Sequence, residues 1–297
     1  MSTPFGNTLK TGILLAALTG LLVVIGGAIG GRGGMIFAFV LAVGMNFFAY
    51  WFSGDMALKM GGARKIEREE APWLFDMVAK LARQAGLPMP KVALMDTAAP
   101  NAFATGRDPQ HAVVAVTTGI VQVLDREELE GVLAHELGHV KNRDILIMSV
   151  AATIGGAITM IAQMAQWAMI FGGLGGNRDN EENQGGGIVE SLLMIIVAPI
   201  AATVIQMAIS RAREFGADAS GAEINGDPEP LARALEKMEA AAHQTPMHVN
   251  PAAAHLFIVN PLAGVSFGSL FSTHPKTADR IARLRAMRVS RSNRLFV

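Results

Sequence analysis

The chain of 297 residues contains no cysteine, and its 25 basic residues balance its 25 acidic residues. The lack of cysteine excludes disulfides and thiolate metal ligands, and a net charge of zero gives no indication of a nucleic-acid partner. Hydrophobic residues make up 51% of the chain and charged residues only 17%, with a mean hydropathy of +0.35. This composition favours a membrane protein over a soluble enzyme.

Four long apolar runs predict four transmembrane helices, at residues 11–31, 35–54, 145–171 and 188–210. Each run reaches the length of about 20 residues that crosses a hydrocarbon core of roughly 30 Å. Glu190 is the one charged residue within the four runs. Core helices of a large soluble protein are the alternative, although helices of this length that are apolar on every side are unusual in water.

The first two runs predict a helical hairpin at residues 1–54. The first run alone could be a secretory signal, but the second follows almost at once, after Gly30-Gly31-Arg32-Gly33-Gly34, which favours a retained hairpin. The spacings Gly26-x-x-x-Gly30 and Gly27-x-x-x-Gly31 fit either close helix packing or a flexible turn.

Basic residues beside the spans predict the orientation in the membrane, because such residues collect on the cytosolic side. The loop at residues 172–187 has one arginine against three acidic residues. We therefore expect both termini and the polar segments 55–144 and 211–297 to lie in the cytosol, opposite that loop. The residues that carry this expectation are Lys59, Arg64, Lys65, Arg68, Lys141, Arg143, Arg211 and Arg213.

The two polar segments leave the membrane on the same side, so they can form one catalytic domain. In the first, Pro72 to Gln84 has helical periodicity and stops at Gly86. Strands are predicted at Lys91–Met95 and Ala112–Val116, around a loop that runs from Pro100 to Pro109. This small sheet would offer an edge to an extended peptide.

The second polar segment is predicted to be helical at 210–220, Pro230–Ala242 and Pro275–Met287, with Pro275 in the first turn of the last helix. Between the last two helices lies Met247–Phe271, which is apolar and rich in glycine and proline. It fits a mobile flap at the membrane surface and a buried loop equally well.

The pentapeptide His135-Glu136-Leu137-Gly138-His139 indicates a zinc hydrolase. Residues four apart share one helix face, so His135 and His139 can bind one ion while Glu136 acts as a base toward water. Asp125, with Glu128 three residues on, predicts the start of this helix. A surface helix that carries two histidines by chance is the alternative.

The third ligand has to come from elsewhere in the chain, because the longer metzincin pattern fails at Asn142 and Ile145. Glu214 follows the fourth span on the cytosolic side and is our predicted ligand. Asp218, one turn later, would accept a hydrogen bond from the outer nitrogen of His135 or His139. An acidic pair on a solvated helix is the alternative for these two residues.

A different class of function is a noncatalytic membrane adaptor that keeps a zinc site for structure. Glu136 weighs against this alternative, because a structural zinc site needs no base. The chain has no Walker motif, so no nucleotide is expected. Ligands outside the spans also argue against proteolysis at bilayer depth.

The chain resembles the HtpX-type membrane zinc endopeptidases, which are relatives of the type I CAAX prenyl proteases. The resemblance covers the paired N-terminal spans, the zinc motif, two further spans, residues 210–218 and Ser272-Thr273-His274-Pro275. It implies a mainly α membrane protein with a cytosolic, gluzincin-like α+β domain. It also implies one Zn²⁺ per chain, bound by His135, His139 and Glu214, with Glu136 as catalytic base.

The same resemblance implies that Asn101 holds substrate backbone and that His274 steadies the tetrahedral intermediate. From chemistry alone, a histidine before a proline is also an ordinary helix entry. The expected location is the bacterial inner membrane, and the partners are the lipid bilayer and protein substrates. The expected role is stress-related quality control, in which cytosolic or juxtamembrane segments of misfolded membrane proteins are cut.

Overall fold

The computed structural model describes residues 4–151, 211–242, 256–258 and 275–294. Within these ranges the protein is mostly helical, with one small mixed sheet. Most of the predicted third span, the loop at 172–187 and the fourth span lie outside the described residues. His274 and most of the segment Met247–Phe271 lie outside them too.

Helix α1 (Pro4–Gly61) consists of two arms joined by a break at Gly30 and Gly31. Gly31 has φ = +56°, a conformation that glycine adopts at little cost. A Cβ added to Gly34 would lie 2.0 Å from the carbonyl oxygen of Gly26, so the arms touch through backbone atoms. The two interpretations of the glycines therefore hold at different positions: Gly26 permits close packing, and Gly30 and Gly31 form the turn.

The second arm of α1, Gly30–Gly61, is 32 residues long with a mean hydropathy of 1.9, which suits a membrane span. It is the one helix in the described ranges that passes this test of length and composition. Large apolar side chains point outward along it, among them Phe37 at 71% and Phe47 at 61% exposure. Such exposure favours an apolar environment around the arm. The helix continues past the predicted end at Gly54.

Four strands form a sheet in the order β1-β2-β4-β3: β1 (Ala63–Lys65), β2 (Lys91–Met95), β3 (Ala102–Thr105) and β4 (Val113–Thr117). β2 and β4 are parallel, and the outer two pairs are antiparallel. The strands predicted from the sequence are confirmed as β2 and, shifted by one residue, as β4.

The predicted loop from Pro100 to Pro109 was wrong in part, because it contains strand β3. The sequence Ala-Phe-Ala-Thr is too short and too uniformly apolar to show strand alternation. Its conformation comes from pairing with β4 and from burial of all four side chains. The rest of the loop includes a short 3₁₀ turn, Pro109–His111.

The remaining described elements are helices. The predicted helix α2 (Pro72–Ala85) is confirmed and ends at Gly86, whose φ is +70°. The last helix begins two residues after the predicted start at Pro275, and it runs on to Arg294. The other helices are α3 (Thr118–Val123), α4 (Arg126–Lys141), α5 (Arg211–Asn225), α6 (Glu229–Ala242) and α7 (Thr277–Arg294); residues 145–151 are helical too.

Helices α4 and α5 pack unusually close together. A Cβ on Gly221 of α5 would lie 2.8 Å from the Cα and N atoms of His135, and one on Gly138 of α4 would lie 2.8 Å from the carbonyl oxygen of Ala217. Real Cβ atoms do not come so near to backbone. Two glycines on facing helices therefore set the distance between the zinc motif and the helix that carries Glu214.

We predict that Gly221→Ala destabilises the protein by about 1–3 kcal/mol, because the added methyl group must push α5 away from α4. Gly44→Ala is the matched control, since a Cβ there meets nothing within 4 Å. Thermal unfolding of the purified protein in detergent measures both variants. Equal thermal midpoints for the two variants would contradict the close packing of α4 against α5.

Candidate metal centre

The zinc motif lies in the last two turns of α4, whose start is fixed by a complete capping box. The backbone N–H of Glu128 donates to Asp125 Oδ1 at 2.9 Å, and that of Asp125 donates to Glu128 Oε2 at 3.0 Å. The capping predicted from the sequence is thus confirmed. One turn apart, His135 and His139 are both buried, with ring centroids 4.8 Å apart and ring planes at 84°.

Helix α5 brings Glu214 to these two imidazoles. The Nε2 atoms of His135 and His139 lie 3.8 Å and 3.7 Å from the two carboxylate oxygens of Glu214. All three potential ligand atoms lie within 4.8 Å of one another. Tetrahedral zinc, with bonds of about 2.0–2.2 Å, separates its ligand atoms by roughly 3.3–3.6 Å, so a small inward movement would suffice. Two imidazoles and one carboxylate are a donor set that fits zinc.

The outer nitrogens of both histidines face carboxylates. His135 Nδ1 is 2.9 Å from Asp218 Oδ1, and His139 Nδ1 is 3.2 Å from Asp144 Oδ2. A proton held at Nδ1 leaves the lone pair of Nε2 toward Glu214. The structure places Asp218 where the sequence predicted an acceptor. Asp144 was missed, because it follows the end of the helix and returns to His139 through a turn at Arg143, whose φ is +58°.

Arg280 of α7 is a second residue that the sequence analysis missed. Its guanidinium binds Asp218 through two hydrogen bonds, Nε to Oδ2 at 2.9 Å and Nη2 to Oδ1 at 2.7 Å. Nη2 also lies 3.4 Å from both ring nitrogens of His135, and Nη1 is 3.7 Å from Glu214 Oε2. Arg280 is only 2% exposed. A buried arginine 62 residues from its partner leaves no local pattern in the sequence.

The charges buried around the three potential ligands do not cancel. Four carboxylates face two guanidinium groups, so with both imidazoles neutral the ionised cluster has two excess negative charges. Excess buried charge of this size is costly unless a cation or protons neutralise it. A divalent metal ion would supply the missing charge. The carboxylates are those of Glu136, Asp144, Glu214 and Asp218, and the guanidinium groups are those of Arg213 and Arg280, all buried.

The pKa values of the buried groups are shifted by burial and by their charged neighbours. Burial raises the pKa of Glu136 above its ordinary value, against the attraction of the two histidines. Burial lowers the pKa of His139, but the hydrogen bond to Asp144 and the nearby carboxylates outweigh it and raise the pKa to about 9. Burial opposes ionisation of Asp218, yet Arg280 holds its pKa below the ordinary range. The raised pKa values of Glu136 and His139 both favour the protonated forms of these groups.

Strand β3 runs beside Glu136. The backbone N–H of Ala104 donates a hydrogen bond to the Glu136 carboxylate. Ala102 also turns its backbone outward, and its carbonyl oxygen accepts the N–H of Ile258 at 3.3 Å. This edge thus already accepts a backbone hydrogen bond from another segment of chain.

Asn101 directly precedes β3 and is only 3% exposed. Its Oδ1 accepts the N–H of Ala102 at 3.2 Å, and its own N–H donates to Thr117 Oγ1 at 2.9 Å. The side chain is therefore fixed at the start of the strand that passes Glu136. His274, the other residue assigned through the resemblance, lies outside the described residues.

Comparison with known proteins places the chain in a family. Residues 68–288 match peptidase family M48, and the chain belongs to that family. It is 61% identical over 285 residues to a protein described as "Protease HtpX homolog" from Persephonella marina (strain DSM 14350 / EX-H1), covering 95% of this chain and 97% of that protein. A "Protease HtpX homolog" from Pyrococcus furiosus (strain ATCC 43587 / DSM 3638 / JCM 8422 / Vc1) is 56% identical over 281 residues, covering 94% of this chain and 96% of that protein.

Among solved structures, the crystal structure of Ste24p from S. mikatae aligns with 94% of this chain, with a TM-score of 0.49 and 16% identity. The chain spans 64% of the length of that protein.

Family membership confirms two of the sequence-based predictions. The resemblance to HtpX-type proteases is confirmed, and the chain is a metalloprotease. The apolar arm of α1 supports its being a membrane protein. The noncatalytic adaptor is not favoured.

We predict that Arg280→Gln destabilises the protein by about 3–5 kcal/mol, because it leaves the buried carboxylate of Asp218 without its cation. Arg285→Gln is the control on the same helix, since Arg285 pairs with Glu229 and Glu236 at the surface. Its thermal midpoint should stay close to that of the wild type. Similar thermal midpoints for both variants would show that the buried pair of Arg280 and Asp218 stabilises the protein no more than the surface pairs of Arg285 do.

Proposed function

We propose that the chain is a zinc-dependent endopeptidase that binds one Zn²⁺ through His135, His139 and Glu214. The observation that carries this proposal is the buried cluster itself. Three ligand atoms of the right chemistry converge, and the buried carboxylates of the cluster, Glu214 included, outnumber its guanidinium groups by two. The ion would polarise the peptide carbonyl and lower the pKa of an attacking water.

We assign the role of catalytic base to Glu136. Its carboxylate neighbours both histidines yet stands outside the group of convergent ligand atoms. A carboxylate in this position can take a proton from water and then give it to the leaving amine. The hydrogen bond from Ala104 fixes the carboxylate in place. Asp218 and Asp144 would keep the Nε2 lone pairs of the histidines free for the ion.

We propose that substrate lies as an extended segment along the edge of β3. That edge is next to Glu136, and its Ala102 carbonyl already accepts a backbone N–H from Ile258, which is the kind of contact that an extended peptide makes at a strand edge. Asn101, which directly precedes the strand, is proposed to hold substrate backbone. His274 is proposed to donate a hydrogen bond to the developing oxyanion of the peptide.

For the membrane arrangement we propose four spans, with both termini and the catalytic domain in the cytosol of a bacterial inner membrane. The domains are the hairpin 1–54, the catalytic segments 55–144 and 211–297, the spans 145–171 and 188–210, and the external loop 172–187. A contact between Asn7 and Asp144 supports this arrangement, because these residues precede the first and third spans. It requires the N-terminus and the zinc motif to lie on the same side.

The proposed position of the centre also suggests its substrates. His139 lies six residues before the third span, so the metal would sit within roughly 10 Å of the bilayer surface at 1.5 Å per helical residue. Cytosolic and juxtamembrane segments of membrane proteins would reach such a site most readily. We therefore propose quality control of misfolded membrane proteins as the role, in agreement with the HtpX-type resemblance.

We predict that Glu136→Gln abolishes cleavage of casein while one zinc per chain remains bound, since the base is lost and the ligands are kept. Glu214→Ala should lose zinc and activity together. Glu127→Gln, a change at an exposed residue of α4, is the control and should retain both. Elemental analysis and a cleavage assay on the same preparations measure the two properties.

Two outcomes would contradict these roles. Loss of zinc from Glu136→Gln would show that Glu136 is a ligand. Full zinc in Glu214→Ala would assign the third ligand to another carboxylate.

We predict that an impermeant maleimide labels Asn180→Cys in intact cells, and labels Glu69→Cys only after the cells are broken. The native chain contains no cysteine, so each variant reports on a single site. Glu69 is an exposed residue between the hairpin and the zinc motif. Labelling of Glu69→Cys in sealed cells would overturn the proposed orientation.

A further inference from the structure

Asn7, near the start of α1, reaches the neighbourhood of the zinc motif although it precedes it by more than 120 residues. Its side chain is only 1% exposed. Nδ2 donates to the carbonyl oxygen of Asn142 at 3.0 Å and to Asp144 Oδ1. Both partners are acceptors, so the amide must present its nitrogen to them.

The two oxygens of Asp144 have different partners. Oδ1 accepts from Asn7, and Oδ2 faces His139 Nδ1 at 3.2 Å. Asp144 is completely buried, so its carboxylate can turn only by giving up one of these bonds within the interior. The direction in which Asp144 holds the imidazole of His139 is therefore tied to the position of Asn7.

We propose that Asn7 is a positioning residue for the metal centre: through Asp144 it fixes the ring of His139 in the orientation that binds zinc. This inference rests on the proposed role of His139 as a ligand. It makes the N-terminal arm of α1 part of the support of the active centre, in addition to its place in the membrane.

Other contacts hold the hairpin against the catalytic domain independently of Asn7. The guanidinium carbon of Arg107 lies over the ring of Trp51, 4.3 Å from the ring centroid. Gly54 lies against the backbone of Gly106. Lys65 also pairs with Asp55 at 2.6 Å. Removal of the Asn7 amide should therefore leave the hairpin docked, while Asp144 and the carbonyl oxygen of Asn142 each lose a donor.

The chain offers a matched control in Asn46. Its Nδ2 donates to Thr19 Oγ1 at 2.8 Å and to the carbonyl oxygen of Leu15 at 3.3 Å, so it joins the two arms of the hairpin. Asn46→Ala deletes the same side chain from the same helix without touching the metal centre. If a looser hairpin alone weakened zinc binding, the affinity would fall in both Asn7→Ala and Asn46→Ala.

The test measures the zinc affinity of the full chain in detergent, by competition with a chelator. Asn7→Ala should weaken zinc binding by about tenfold, the lower end of the range for groups that orient a ligand. Asn46→Ala should leave the affinity unchanged. With Co²⁺ in place of zinc, the visible absorption bands of Asn7→Ala should shift, while those of Asn46→Ala should match the wild type.

A double variant isolates the route through Asp144. Asp144→Ala should weaken zinc binding by about 10–100-fold, and Asn7→Ala added to it should cause no further loss. Additive losses would show that Asn7 acts by another route and would overturn the proposal. Wild-type zinc affinity in Asn7→Ala, or equal losses in Asn7→Ala and Asn46→Ala, would also overturn it.

His139→Ala in the same titration separates this inference from the proposed function. Wild-type zinc affinity in His139→Ala would remove the proposed ligand and with it both proposals. Weak binding by His139→Ala together with wild-type binding by Asn7→Ala would refute only the positioning role.

Discussion

The excess of buried negative charge between α4 and α5 is the constraint on which the rest of the structure depends. Carboxylates are kept from water here by the two helices, the edge of the sheet and α7, and two arginines neutralise only half of them. Such a cluster is stable only with protons or a cation in its centre. Protons are one source of this positive charge, and the raised pKa values of Glu136 and His139 favour them. A bound divalent cation is the other source.

Close helix packing makes this arrangement possible. Gly138 and Gly221 let α4 and α5 meet through backbone atoms, which brings Glu214 within 4 Å of both imidazoles. Elements distant in sequence contact the carboxylates that face the two histidines: α7 reaches Asp218 through Arg280, and the N-terminal arm reaches Asp144 through Asn7. Helix α1 thus shares polar contacts with the residues around the cluster, which is expected where a buried carboxylate needs two partners.

The features that were predicted correctly from the sequence are those that local sequence patterns determine. The capping box at Asp125, helix α2 with its end at Gly86, and strands β2 and β4 follow from turn chemistry and periodicity. Within the candidate site, the convergence of His135, His139 and Glu214 was predictable, because the motif and a carboxylate after a span were both visible. Strand β3 was not, since its four residues show no alternation and depend on pairing with β4. The roles of Asp144, Arg280 and Asn7 were missed because tertiary packing determines their partners. Such contacts produce no characteristic residue spacing in the sequence.

The central claim is that two imidazoles and one carboxylate of this chain bind a zinc ion. X-ray absorption at the zinc edge of the purified, zinc-loaded protein tests this claim most directly. We expect a four-coordinate site with two imidazole rings, nitrogen and oxygen ligands at about 2.0–2.2 Å and no sulfur. A site with no imidazole, or with six oxygen ligands, would contradict the account, because the ion would then lie away from the cluster between α4 and α5.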